Sequence, residues 1–115
     1  GIMGDGSFAM AAGDLETIAR LSIPVLLVQF NNATFGWIKA LQHHLSDGNY
    51  FGVDLSADTD YVGIAKAFGI DGIRVTHPDE IEPAIKQGLA EPRPFFIDIV
   101  TAREEETPPP VPDWF

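Results

Sequence analysis

Two short stretches hold the residues best suited to chemistry: Gly4-Asp5-Gly6-Ser7 and Asn31-Asn32. Between Gly6 and Asn31 lie 24 residues, positions 7–30. That interval fits one helix and one apolar strand, which sets Asp5 and the asparagine pair at the ends of two strands. Side chains just past the carboxyl ends of neighbouring parallel strands converge on the place where open α/β sheets bind ligands. An acid, an amide oxygen and a turn carbonyl are hard oxygen donors. Magnesium accepts such donors in a near-octahedral set and leaves its other places to phosphate oxygens and water. Gly4 and Gly6 would permit a tight turn and close backbone approach. Ser7 would open a helix whose free N–H groups favour an anion. Each motif alone reads as an ordinary turn; the pairing at two strand ends gives them a chemical reading.

The elements that must position these residues follow from the hydrophobic pattern. Residues 2–4 read as a short strand. Residues 8–21 read as a helix with Leu15, Ile18 and Ala19 on one face, and Glu16 and Arg20 as an outward i,i+4 pair worth roughly 0.3 kcal/mol. Residues 25–30 form an apolar run of the kind buried on both sheet faces. A turn at 31–34 leads to a helix over 35–45, with Ile38, Leu41 and Leu45 expected inward. Residues 46–57, with Tyr50 and Phe51 between Gly48 and Gly52, read as a loop. Asp58 or Thr59 is placed to cap a helix ending at Phe68, with Tyr61, Ile64, Ala65 and Phe68 inward and Gly69 as its stop. Residues 72–76 read as a strand and 78–89 as a helix facing inward through Ile81, Ile85 and Leu89, with Pro83 expected to kink it. Residues 95–100 form the last buried strand. This alternation implies an α/β fold, a parallel sheet flanked by helices. The sheet is expected to be truncated at the N-terminus, since the chain opens inside a strand. Residues 1–100 form the folded domain in this reading, and 101–115 an extended acidic, proline-rich tail.

Composition narrows the classes. The chain has 115 residues, of which 45% are hydrophobic, enough for one domain with a core. A net charge of −10 opposes binding to nucleic acid or to an anionic membrane surface. Cysteine is absent, which excludes disulfides and thiolate metal sites. No apolar run reaches transmembrane length and no signal-peptide layout is present, so the expected location is cytoplasmic.

Gly4-Asp5-Gly6 followed by Asn31-Asn32 resembles the motif of thiamine-diphosphate-dependent enzymes. Ser7-Phe8-Ala9-Met10, Glu16, Thr17 and Arg20, the Asn31-Asn32-x-x-x-Gly36 stretch, residues 65–69 and the strand after Pro94 resemble the acetolactate synthase and pyruvate decarboxylase branch, in its C-terminal diphosphate-binding domain. The resemblance implies cofactor contacts at Gly4, Asp5, Gly6, Ser7, Asn31, Asn32, Thr34 and Gly36. It implies Mg²⁺ ligands in the Asp5 and Asn32 side chains and the Thr34 carbonyl, with Asn31 supporting the turn. The cofactor's thiazolium ylid attacks a 2-oxo acid, and the family releases an aldehyde or adds to a second carbonyl. The activating glutamate belongs to a separate pyrimidine-binding domain, so no catalytic residue is assigned here, and a homo-oligomer is expected. By itself the chain is expected to be inactive. Two positions depart from the acetolactate synthase pattern Gly-Met-Val-x-Gln-Trp: Trp37 stands for Met and Leu41 for Trp. The alternatives are the β subunit of a 2-oxo-acid:ferredoxin oxidoreductase, or a non-catalytic α/β assembly module that keeps the motif.

Other polar residues have plainer readings. His43 and His44 diverge on their helix and cannot chelate one ion from one face, although the family reading sets them near substrate. His77 reads as a helix-start residue, Trp37 as core or pocket wall, and Asp98 as a strand carboxylate that needs a partner. Trp114 and Phe115 read as residues that could dock on another domain.

Overall fold

The computed structural model describes residues 1–103; the run Glu104 to Glu106 and the terminal Trp114 and Phe115 lie outside the described residues. Four strands form one parallel sheet in the order β1-β2-β4-β3. They are β1 (Ile2–Gly4), β2 (Leu26–Asn31), β3 (Asp71–Val75) and β4 (Phe95–Val100). The helices are α1 (Asp5–Ala11), α2 (Leu15–Arg20), α3 (Gly36–Leu45), α4 (Tyr61–Ala67) and α5 (Ile81–Ala90). The α/β reading therefore holds. The chain leaves β2 for α3 and α4, pairs β3 one place beyond, and returns through α5 to fill the gap with β4.

Alternation along the strands divides the core in two. On one face Leu27 and Phe96 pack with Phe8, Leu15, Tyr61, Ala65 and Ile70. On the other, Val28, Phe95, Ile97 and Ile99 pack with Val75 and Ala84. The central strand β4 is buried on both faces through Phe95–Ile99. Phe8 meets Tyr61 edge-on at 5.5 Å and Phe96 at 5.0 Å, which locks α1 against α4 and the sheet.

Several sequence expectations change in the fold. The first helix begins at Asp5 rather than Phe8, and a 3₁₀ turn at Ala12–Asp14 splits it. Gly13 lies in that turn, where its low helix propensity favours a break. Asp60, not Asp58 or Thr59, caps α4, and its Oδ1 accepts Gly63 N–H at 2.8 Å. Gly69 ends the helix at φ 86°, as expected. Pro83 does not interrupt α5. A 3₁₀ turn at Pro78–Glu80 precedes the helix, so Pro83 falls in the first turn of α5, where a missing N–H costs nothing. His77 caps that 3₁₀ turn, and Glu80 Oε2 accepts the N–H groups of Thr76 and His77 at 2.9 and 3.0 Å.

Two inward stripes are corrected. On α3 the buried residues are Lys39 and Ala40, while Ile38, Leu41 and Leu45 are exposed. On α5 Leu89 is exposed, and Gly88 takes the inward place because a Cβ there would press on Leu26 and Phe95.

Candidate functional site

The carboxyl ends of β1 and β2 open into a cleft of about 420 Å³. Gly4, Asp5, Gly6, Ser7, Asn32, Thr34 and Gly36 all line it. Asn31 is the exception among the residues singled out from sequence: it is buried beneath the cleft, with its side chain turned to β4.

Asp5 is the first residue of α1 and is 2% exposed. Its Oδ1 accepts Gly6 N–H at 2.8 Å, and its Oδ2 accepts Ala33 N–H at 2.7 Å. The second bond ties the end of β1 to the turn that leaves β2. Burial pushes the Asp5 carboxyl above its ordinary range; the Gly6 and Ala33 hydrogen bonds pull against that, and the charge of Asp98 adds to the rise.

The turn itself is held from several sides. Ala33 has φ 54°, in the left-handed region that a residue with a Cβ enters only when its surroundings enforce it. Its N–H also donates to Asn31 Oδ1 at 3.3 Å, and Thr34 N–H donates to Asn32 Oδ1 at 3.2 Å. The loop after α3 closes over it from the far side. Thr34 Oγ1 and Phe35 N–H both donate to Val53 O at 2.8 Å, and Leu55 N–H donates to Ala33 O at 2.8 Å.

That loop is anchored to α3 by side chains. Lys39, buried, reaches Asp54 at 2.9 Å. Gln42 exchanges hydrogen bonds with the backbone of Phe51 at 2.9 and 3.1 Å. His43 Nδ1 and the Tyr50 hydroxyl lie 2.9 Å apart, with the rings stacked. His43 thus fastens the loop.

The glycines differ in what they do. Gly4 is extended at φ −92°, and a Cβ there would meet only Phe30 O at 4.0 Å, so the expected tight turn is absent and the strand runs straight into α1. At Gly6 a Cβ would collide with the Phe35 ring. Gly6 is therefore the seat of that ring in the cleft wall.

Sequence reasoning did not assign Phe30, Phe35, Ile38 or Thr101 to the site, yet they line the cleft with Trp37, which is 64% exposed. They share a region of the fold rather than a motif: Phe30 lies next to the end of β2, Thr101 directly follows β4, and Phe35 and Ile38 lie at the start of α3. Also unassigned was the support below: Asp98, fully buried, accepts from Gln29 at 2.9 Å and Asn31 at 3.3 Å, and Arg74 lies 3.6 Å from it. Among the described residues no group of three His, Asp or Glu side chains could hold a metal, and no helix is long and apolar enough to cross a membrane.

Residues 1–99 match the family model for the thiamine pyrophosphate enzyme, C-terminal TPP binding domain. The chain is 33% identical over 107 residues to a probable acetolactate synthase large subunit of Methanocaldococcus jannaschii, covering 93% of this chain and 18% of that protein. It is 31% identical over 111 residues to the acetolactate synthase isozyme 3 large subunit of Escherichia coli, covering 94% and 19%. A thiamine diphosphate-dependent 4-hydroxybenzoylformate decarboxylase from Rhodococcus jostii superposes with a TM-score of 0.85 at 30% identity, over 91% of this chain and 20% of that one. The chain thus spans about a fifth of the length of the relatives it matches. On these matches, the chain belongs to the thiamine pyrophosphate enzyme family, as its C-terminal cofactor-binding domain.

Proposed function

We propose that residues 1–100 anchor the diphosphate of thiamine diphosphate through Mg²⁺, within a larger enzyme that decarboxylates or condenses 2-oxo acids. The observation that carries this is the bond from Ala33 N–H to Asp5 Oδ2, which joins the two halves of the motif at one cleft. The donor set fits the ion. Asp5, Asn32 and Thr34 line one cleft, where they would offer one carboxylate, one amide oxygen and a backbone carbonyl. Magnesium suits that set, since it prefers few protein ligands and completes its shell with phosphate oxygens and water. Asp5, Asn32 and the Thr34 carbonyl would hold the ion. The backbone of Gly6 and Ser7, with Gly4 and Gly36 beside them, would meet the diphosphate.

When bound, the cofactor supplies a carbanion that adds to the carbonyl of a 2-oxo acid. This chain's residues bind and orient it. Asn31 and Ala33 keep the turn in place, Phe35 and Trp37 wall the cleft, and the Lys39–Asp54 pair holds the loop that braces Thr34.

The activating glutamate would come from a pyrimidine-binding domain elsewhere in the parent or in a partner subunit. Exposed Trp37, Ile38, Leu41, Leu45 and Phe51 form an apolar surface beside the cleft that such a domain would cover. Acetolactate-synthase-like chemistry is favoured by the relatives, although Trp37 and Leu41 replace the usual Met and Trp. The test is turnover of pyruvate with Mg²⁺ and thiamine diphosphate. The parent protein is expected to be active and the 115 residues alone inactive; activity in the isolated chain would refute the division of labour.

A further inference from the structure

Asp98 is 0% exposed in the middle of β4, beneath the cleft and outside it. The strand register sets Gln29 opposite it on one side and Arg74 on the other. A carboxylate at such a depth is costly unless its oxygens are bonded; here Gln29 and Asn31 donate to it and Arg74 lies 3.6 Å away. What it supplies is direction. A carboxylate only accepts, so it obliges both facing amides to present their NH₂ groups. For Gln29 this is unfavourable, because its Oε1 is left buried with no partner. For Asn31 it turns Oδ1 upward, to accept the Ala33 N–H that also donates to Asp5.

We propose that Asp98 is a positioning residue for the cofactor site: by orienting the Asn31 amide it holds the Ala33 turn in its left-handed conformation against Asp5. This rests on the function proposed above. Asp98 itself touches neither metal nor diphosphate.

The test uses the intact parent protein, with Mg²⁺ and thiamine diphosphate titrated calorimetrically and unfolding followed separately without cofactor. Asp98→Leu, which fills the volume but accepts nothing, is expected to weaken cofactor binding by at least about tenfold. Asp98→Asn should stay within about threefold of wild type, because its oxygen still accepts from Asn31 while Gln29 turns its vacant Oε1 to the new NH₂ group. Asn31→Asp, which sets two carboxylates face to face, should lose about tenfold. Adding Asp98→Asn to it should restore binding, since the amide introduced on β4 then donates to the carboxylate introduced on β2, reversing the original order. Unchanged binding in Asp98→Leu, or no rescue in the double variant, would overturn the role; the rescue pair keeps the test open if Asp98→Leu fails to fold. Asp5→Ala is the reference in the same assay. It loses binding if the site is as described; wild-type binding by Asp5→Ala would defeat the site itself rather than Asp98 alone.

Discussion

Asp5 and Ala33 meet in a 2.7 Å hydrogen bond that fastens the end of β1 to the turn leaving β2. Without Asp5, the Ala33 N–H keeps only the longer bond to Asn31 Oδ1 at 3.3 Å. Asp5→Ala is therefore expected to cost about 1–3 kcal/mol of stability even without cofactor. Chemical denaturation of the apoprotein checks this, and an unchanged midpoint would show that the turn stands without the carboxylate.

The same carboxyl gives a pH dependence of unusual sign. Burial raises its pKa in the fold, so between the ordinary aspartate range and the raised value the native state holds more protons than the unfolded one. The Asp5 contribution to apoprotein stability thus falls as pH rises through that window. Metal affinity should run the other way, weakening as pH drops and beginning to do so above the ordinary aspartate range. Denaturation and Mg²⁺ titrations across a pH series should show both trends, and Asp5→Asn should flatten the first.

Gly6→Ala is expected to destabilise by about 1–3 kcal/mol, because the added Cβ enters the space of the Phe35 ring. Combining it with Phe35→Leu should recover part of the loss. Full stability in Gly6→Ala alone would mean that the ring is not seated on Gly6.

How far these relationships were legible in sequence depends on their range. The faces of α2 and α4 could be read directly, because Leu15, Ile18 and Ala19, and Tyr61, Ile64, Ala65 and Phe68, pack as their spacing implies. Asp5 and the turn after β2 could be brought together because each sits at a strand end. The α3 stripe misled because the loop after the helix packs over Lys39, through Asp54 and the Tyr50 ring, while Ile38, Leu41 and Leu45 stay on the open side. Asp98 was visible as a carboxylate in need of a partner. Its partners were not, since Gln29 and Arg74 reach it only through the β2-β4-β3 order, which no local pattern encodes.

Glu80 offers a second pH-dependent effect, with the usual sign. The N–H groups of Thr76 and His77 hold its carboxyl below the ordinary range. Its stabilising contribution should be fully present above the ordinary glutamate range and lost as pH falls through the depressed value. Glu80→Gln should lower the melting temperature at neutral pH and narrow the difference from wild type in acid. A difference independent of pH would contradict the role of the ionised cap.

The central claim is that Asp5 and Asn32 together anchor a metal diphosphate. It is tested most directly by calorimetric titration of Mg²⁺ and thiamine diphosphate into the intact parent protein and into its Asp5→Ala, Asn32→Ala variant. The structure leads us to expect a binding isotherm for the parent and none for the variant, with both proteins folded by circular dichroism. Equal affinity in the two would contradict the claim.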